Sequence, residues 1–89
     1  MKTAHVVISG YVQGVGFRQF VKSEAEKLHI RGWVRNTEEE QVEVLMQGEQ
    51  EYVEQLIQFC RKGPMLSNVK HVYVQWHEVD EEYSAFEIW

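Results

Sequence analysis

The chain has 89 residues, 44% of them hydrophobic and 26% charged, with a formal net charge of −5. That length supports a single domain over residues 1–89 with one modest core and excludes a large cofactor-binding domain, while the composition excludes a disordered or low-complexity chain. The acidic balance argues against broad polyanion binding, so no nucleic-acid partner is expected.

In chain order, Ala4, Val6 and Ile8 alternate with His5, Val7 and Ser9 and predict a strand over Ala4–Tyr11, ended by Gly10, Gly14 and Gly16. Phe17, Phe20, Val21, Ala25 and Leu28 then fall on one stripe, predicting a helix from the glycine loop to about His29. Gly32 breaks that pattern. Trp33–Asn36 reads as a short strand, and Val42, Val44 and Met46 share one face of a second, so the pair is expected to form a β-hairpin. Val53, Leu56, Ile57 and Cys60 recur at helical spacing, and Gly63 and Pro64 supply the stop. A strand over Val69–Glu78 with Val72, Val74 and Trp76 in phase, an acidic turn around Asp80–Glu82, and a last strand holding Phe86 and Ile88 complete the chain. The order βαββαβ plus a terminal strand fits an α+β, two-layer ferredoxin-like sandwich with a mostly antiparallel sheet and two helices on one face.

Cys60 is the one cysteine, so an intramolecular disulfide and a thiolate zinc site are both excluded, and its place on the apolar stripe makes it a core residue rather than a nucleophile. The apolar runs reach three residues, far short of the roughly 20 that span a bilayer, so no membrane association and a cytoplasmic location are expected. His71 and His77 stand about 20 Å apart along one strand, too far to share an ion. His5 and His29 have no evident carboxylate partner, and no metal site or cofactor is expected. Trp33, Trp76, Trp89, Tyr11 and Tyr73 are expected to cover the sheet and fill the core; no RNP-type motif marks them as a base-stacking platform.

Charge is unevenly placed, with +4 over Met1–Asn36 and −9 over Thr37–Trp89, which leaves room for a small anion near the first helix. GYVQGVGFR, Gly10–Arg18, runs a strand into glycines and straight into that helix, arraying backbone N–H groups about one concavity where the helix dipole favours negative charge. Gln19 stands where a dinucleotide fingerprint would need its third glycine, and no Gly-Lys-Ser/Thr ending follows, so a nucleotide is not implied. Arg18 in the first helical turn is electrostatically misplaced unless an anion shares the site, and its guanidinium suits bidentate contact with phosphate oxygens. The competing reading is a tight glycine turn with Arg18 in solvent. Lys22, four residues on, is expected to pair with Glu26, the alternative being that it adds positive potential near the cradle.

GYVQGVGFRQF (Gly10–Phe20) and GWVRNT (Gly32–Thr37) together resemble the two signature segments of the acylphosphatase family. The later landmarks Val42 and Glu43, Gly48 and Glu49, Gly63 and Pro64, and Val69 are also similar in type and spacing, so the resemblance covers nearly the whole chain. It implies a ferredoxin-like fold and hydrolysis of the carboxyl–phosphate bond of a small-molecule acyl phosphate, giving a carboxylate and inorganic phosphate. It further implies that Arg18 binds the phosphoryl group, that Gln13, Gly14, Val15, Gly16 and Phe17 form the phosphate cradle, and that Asn36 holds the attacking water. No metal and no cofactor are implied, and a monomer is expected. The alternative is a non-catalytic phosphate- or anion-binding module of the same fold; an accessory domain fused to a larger protein is the less expected third case, since the chain begins at Met1. One departure stands out. Glu40 occupies the usual hairpin glycine position, predicting a different or a strained turn between the second and third strands, with Glu38, Glu39 and Glu40 repelling one another.

Overall fold

The computed structural model describes residues 1–78 and 81–89. Seven elements follow in order: β1 (Lys2–Tyr11), α1 (Phe17–Lys27), β2 (Arg31–Asn36), β3 (Val42–Gly48), α2 (Gln50–Lys62), β4 (Asn68–His77) and β5 (Phe86–Ile88). The strands form one sheet in the order β4-β1-β3-β2-β5, antiparallel throughout except for the parallel β2–β5 pair. This is the expected ferredoxin-like sandwich. The period-2 pattern of β1 and β3 turns Ala4, Val6, Ile8, Val42, Val44 and Met46 to one face, where each is fully buried. The helices cover that face with Phe17, Val21 and Ala25 from α1 and Val53, Leu56, Ile57 and Cys60 from α2.

Several expectations change at the level of detail. Helix α1 stops at Lys27 because His29 enters left-handed backbone (φ +56°), with Ile30 N–H donating to Ala25 O (2.9 Å) and His29 N–H to Glu26 O (3.2 Å). That is a Schellman closure with His29 where glycine is usual. Strand β2 begins at Arg31 rather than at Trp33, so Gly32, where the helical pattern breaks, lies inside it. Its φ is +136°, and a Cβ there would stand 1.9 Å from Leu45 O across the β2–β3 ladder. The acidic turn expected at Asp80–Glu82 falls partly outside the described residues.

The aromatic residues do not fill the core as expected. Tyr11, Tyr73 and Trp76 are exposed, and Trp33 is buried on the helix-free face of the sheet, where it stacks on Trp89 with ring centroids 4.6 Å apart. The core is built from aliphatic side chains with Phe17 and Phe86, because the alternation that buries Val34 sends its neighbour Trp33 to the opposite face. On that face the expectation for His5 also fails: His5 Nε2 hydrogen-bonds Glu43 Oε2, and Arg35 Nε donates to Glu43 Oε1 (2.5 Å). Burial pushes the Glu43 carboxyl up, but the bonds from His5 and Arg35 and their charges outweigh it and hold it below the ordinary carboxylate value. The buried Gln47 uses both N–H donors and its carbonyl oxygen, donating to Thr3 Oγ1 (3.3 Å) and Glu81 O (2.9 Å) and accepting from Tyr83 N–H (2.9 Å). The last segment is thereby laid along the sheet.

Candidate active site

Strand β1 delivers the chain at Tyr11 to a short loop, and α1 opens from it at Phe17. Gly14 and Gly16 take left-handed backbone (φ +75° and +80°), and a Cβ at either would meet nothing within 4 Å. Conformation rather than crowding therefore calls for glycine here, and the loop surface stays open. Gly16 caps α1 without a side-chain hydrogen bond, no acid stands in the first turn, and the first backbone bond runs from Phe20 N–H to Gly16 O (3.0 Å). The amides of Phe17, Arg18 and Gln19 consequently have no acceptor within the helix. This end of α1 concentrates unspent donors and the positive end of the helix dipole.

Arg18 is exposed in that first turn, and among the described residues no carboxylate pairs with it. The pairing expected for Lys22 with Glu26 does not form; on α1 the ion pair is Lys27 with Glu24 (3.4 Å). Positive charge beside the loop is thus left unneutralised by the helix itself.

Asn36 reaches the same place from β2. It lies two residues beyond the buried Val34, so it shares the helix-covered face, at the end of the strand where α1 begins. A cleft of about 250 Å³ is lined by Gly14, Gly16, Phe17 and Arg18 from the loop and helix, by Asn36 from β2, and by Val12, Gln19 and Ile88. Arg18 and Asn36, expected from separate segments, are brought together. Gln13 and Val15 are not among the lining side chains: Gln13 spends its amide on the β2–β3 turn, and Val15 is half-buried against the core. Their place in the loop leaves their contribution to backbone N–H groups.

Val12, Gln19 and Ile88 line the cleft without being expected there from the sequence; the first two flank the loop in sequence, and of the three Ile88 alone comes from a distant segment. It enters because β5 pairs in parallel with β2, setting Ile88 beside Val34, and a three-residue strand at the end of a chain carries no signal for its partner. Cys60 is fully buried in α2, and burial pushes its thiol up to about 12, with the charge of Arg61 opposing, so it is an inert core residue. Among the described residues no group of three His, Cys, Asp or Glu side chains could hold a metal ion, and no helix is long and apolar enough to cross a membrane.

The β2–β3 turn adopts the strained alternative. Glu40 itself takes φ +62°, where glycine would be free of cost. The turn is held by Thr37 N–H to Gln41 O (2.9 Å), Glu40 N–H to Thr37 O (3.2 Å) and Gln41 N–H to Thr37 Oγ1 (3.1 Å).

Comparison with known proteins extends the resemblance over the whole fold. The acylphosphatase of Pelotomaculum thermopropionicum is 42% identical over 85 residues, covering 96% of this chain and 92% of that protein. The acylphosphatase of Thiobacillus denitrificans is 45% identical over 87 residues, covering 98% and 96%. The crystal structure of acylphosphatase from Bacillus subtilis superposes with a TM-score of 0.96 at 33% identity, over 99% of this chain and 98% of that one. The Acylphosphatase family model matches residues 4–88, and with relatives alike over nearly their full length, the chain belongs to the acylphosphatase family.

Proposed function

We propose that the protein is a metal-independent acylphosphatase, hydrolysing the carboxyl–phosphate bond of small acyl phosphates to a carboxylate and inorganic phosphate. The observation that carries this reading is the meeting of Arg18 and Asn36 in one cleft beside the unspent amides of the α1 N-terminus. Arg18 and the backbone N–H groups of Gln13, Gly14, Val15, Gly16 and Phe17 hold the phosphoryl oxygens. Asn36, whose amide both donates and accepts, holds the attacking water.

The chemistry asks for little more. The leaving group is a carboxylate whose conjugate acid has a pKa of about 4 to 5, so it departs without a strong general acid. What remains is to neutralise the phosphoryl oxygens and set water in line with the leaving oxygen, the positioning and electrostatic work that dominates phosphoryl transfer. A phosphate oxygen of the substrate accepts the water's proton, which accounts for a cleft lined, among the described residues, by no carboxylate or imidazole. The protein acts as a single-domain cytoplasmic monomer, without cofactor or nucleic-acid partner.

Hydrolysis of benzoyl phosphate, followed by absorbance at neutral pH with a chelator present, tests the reading directly. Turnover by the wild type and a loss of about 10³-fold in Arg18→Ala are expected. A folded wild type without turnover would instead leave a phosphate-binding module.

A further inference from the structure

Gln13 belongs to the phosphate loop by sequence, yet its side chain leaves the loop. Its amide nitrogen donates both hydrogens across to the β2–β3 turn, one to Thr37 O (2.9 Å) and one to Gln41 O (2.8 Å). Each acceptor already serves the turn, Thr37 O taking Glu40 N–H and Gln41 O taking Thr37 N–H. A carbonyl oxygen has two lone pairs, so the glutamine fills the second of each without displacing the turn's own bonds. The chain segments tied in this way are the two that build the cleft: the loop leads directly into Arg18, and Thr37 directly follows Asn36.

We infer that Gln13 is a positioning residue, a clip that fixes the distance between the phosphoryl group held at Arg18 and the water held at Asn36. The inference rests on the acyl phosphate reading above. In-line attack makes the rate depend on that separation, and a misplacement of about 1 Å costs on the order of 10²-fold. Phosphate affinity depends on it far less, because Arg18 and the loop amides all lie on one side of the clip.

The clip also explains the residue type. Two N–H donors must sit on one atom at the end of a two-methylene arm. Asparagine falls one methylene short. Ionised glutamate has the reach but sets acceptors against two carbonyl oxygens, and protonated glutamate restores one donor.

The test measures kcat and KM for benzoyl phosphate, and the inhibition constant for inorganic phosphate, in the wild type, Gln13→Glu and Gln13→Met from neutral to acidic pH. Circular dichroism verifies the fold of each. Both variants are expected to lose about 10²-fold in kcat at neutral pH, with a much smaller change in phosphate inhibition. Gln13→Glu should recover part of its kcat relative to the wild type as the pH falls, and Gln13→Met should not. Undiminished kcat in folded Gln13→Met, a loss expressed in phosphate affinity instead of kcat, or parallel pH profiles for the two variants would each overturn the clip. Should Gln13→Glu fail to fold at neutral pH, Gln13→Asn beside Gln13→Met carries the same split between kcat and phosphate inhibition. Absence of turnover in the wild type brings down the hydrolase reading and the clip's kinetic role with it, whereas wild-type turnover with an undiminished variant removes the clip alone.

Discussion

The glycine loop before α1 and the β2–β3 turn both pass through left-handed backbone, one with glycines and the other with a glutamate. Gly14 and Gly16 leave their surroundings bare of side chains, with the amides at the head of α1 uncovered. Glu40 holds a similar φ in a turn closed by bonds between Thr37, Glu40 and Gln41 and tied to the loop by Gln13. Where the backbone itself must meet a ligand, the residue cannot cover it. Where the backbone merely reverses direction, hydrogen bonds to a threonine are enough to hold a non-glycine residue at a cost of about 1 kcal/mol.

The strongest way to break that comparison is Asn36→Ala, which removes the one side chain that the turn's strand contributes to the cleft. Its kcat should fall by about 10² to 10³-fold while competitive inhibition by phosphate is retained; a large loss of phosphate affinity would contradict the water-holding role. Gly16→Ala attacks the other side. It should cost about 1 to 2 kcal/mol in urea unfolding, because alanine pays for left-handed backbone, and it should weaken phosphate inhibition as well, whereas a stability loss alone would detach the loop from ligand binding.

Glu43→Gln probes the helix-free face of the sheet. With two charge-assisted bonds weakened, stability at neutral pH should drop by about 1 to 2 kcal/mol. The folded Glu43 carboxyl lies below its unfolded value, so its stabilisation is present above the unfolded value and lost as the pH falls through the folded one. Wild type and variant should therefore converge in acid; a gap that widens there would reverse the assignment. Smallest of all, Glu40→Gly should raise stability by about 0.5 to 1 kcal/mol, the relief of left-handed strain less the added freedom of glycine in the unfolded chain, with kcat unchanged. A destabilised Glu40→Gly would show that the turn carries no strain.

The elements were legible because their signals are local. Helical spacing in Phe17–Leu28 and Val53–Cys60 located both helices, and alternation located the strands. His29 shortened α1 without a warning of that kind, since a left-handed histidine is chosen by the closure it completes with Ala25 and Glu26. The aromatic residues misled for a related reason. Trp33 is apolar, but the register that buries Val34 sends it to the other face, and Trp89 supplies its partner from the far end of the chain.

The sequence by itself determined the order of elements, the glycine loop opening into α1, and the two segments bearing Arg18 and Asn36, because each depends on residues within a few positions of one another. Tertiary structure alone decided that those segments share one cleft, that Ile88 walls it, that Gln13 reaches Thr37 and Gln41, and that His5 and Arg35 converge on Glu43. Each of these contacts rests on strand order, register or a side chain reaching across from another segment, and the chain's local chemistry does not encode which neighbour lies opposite.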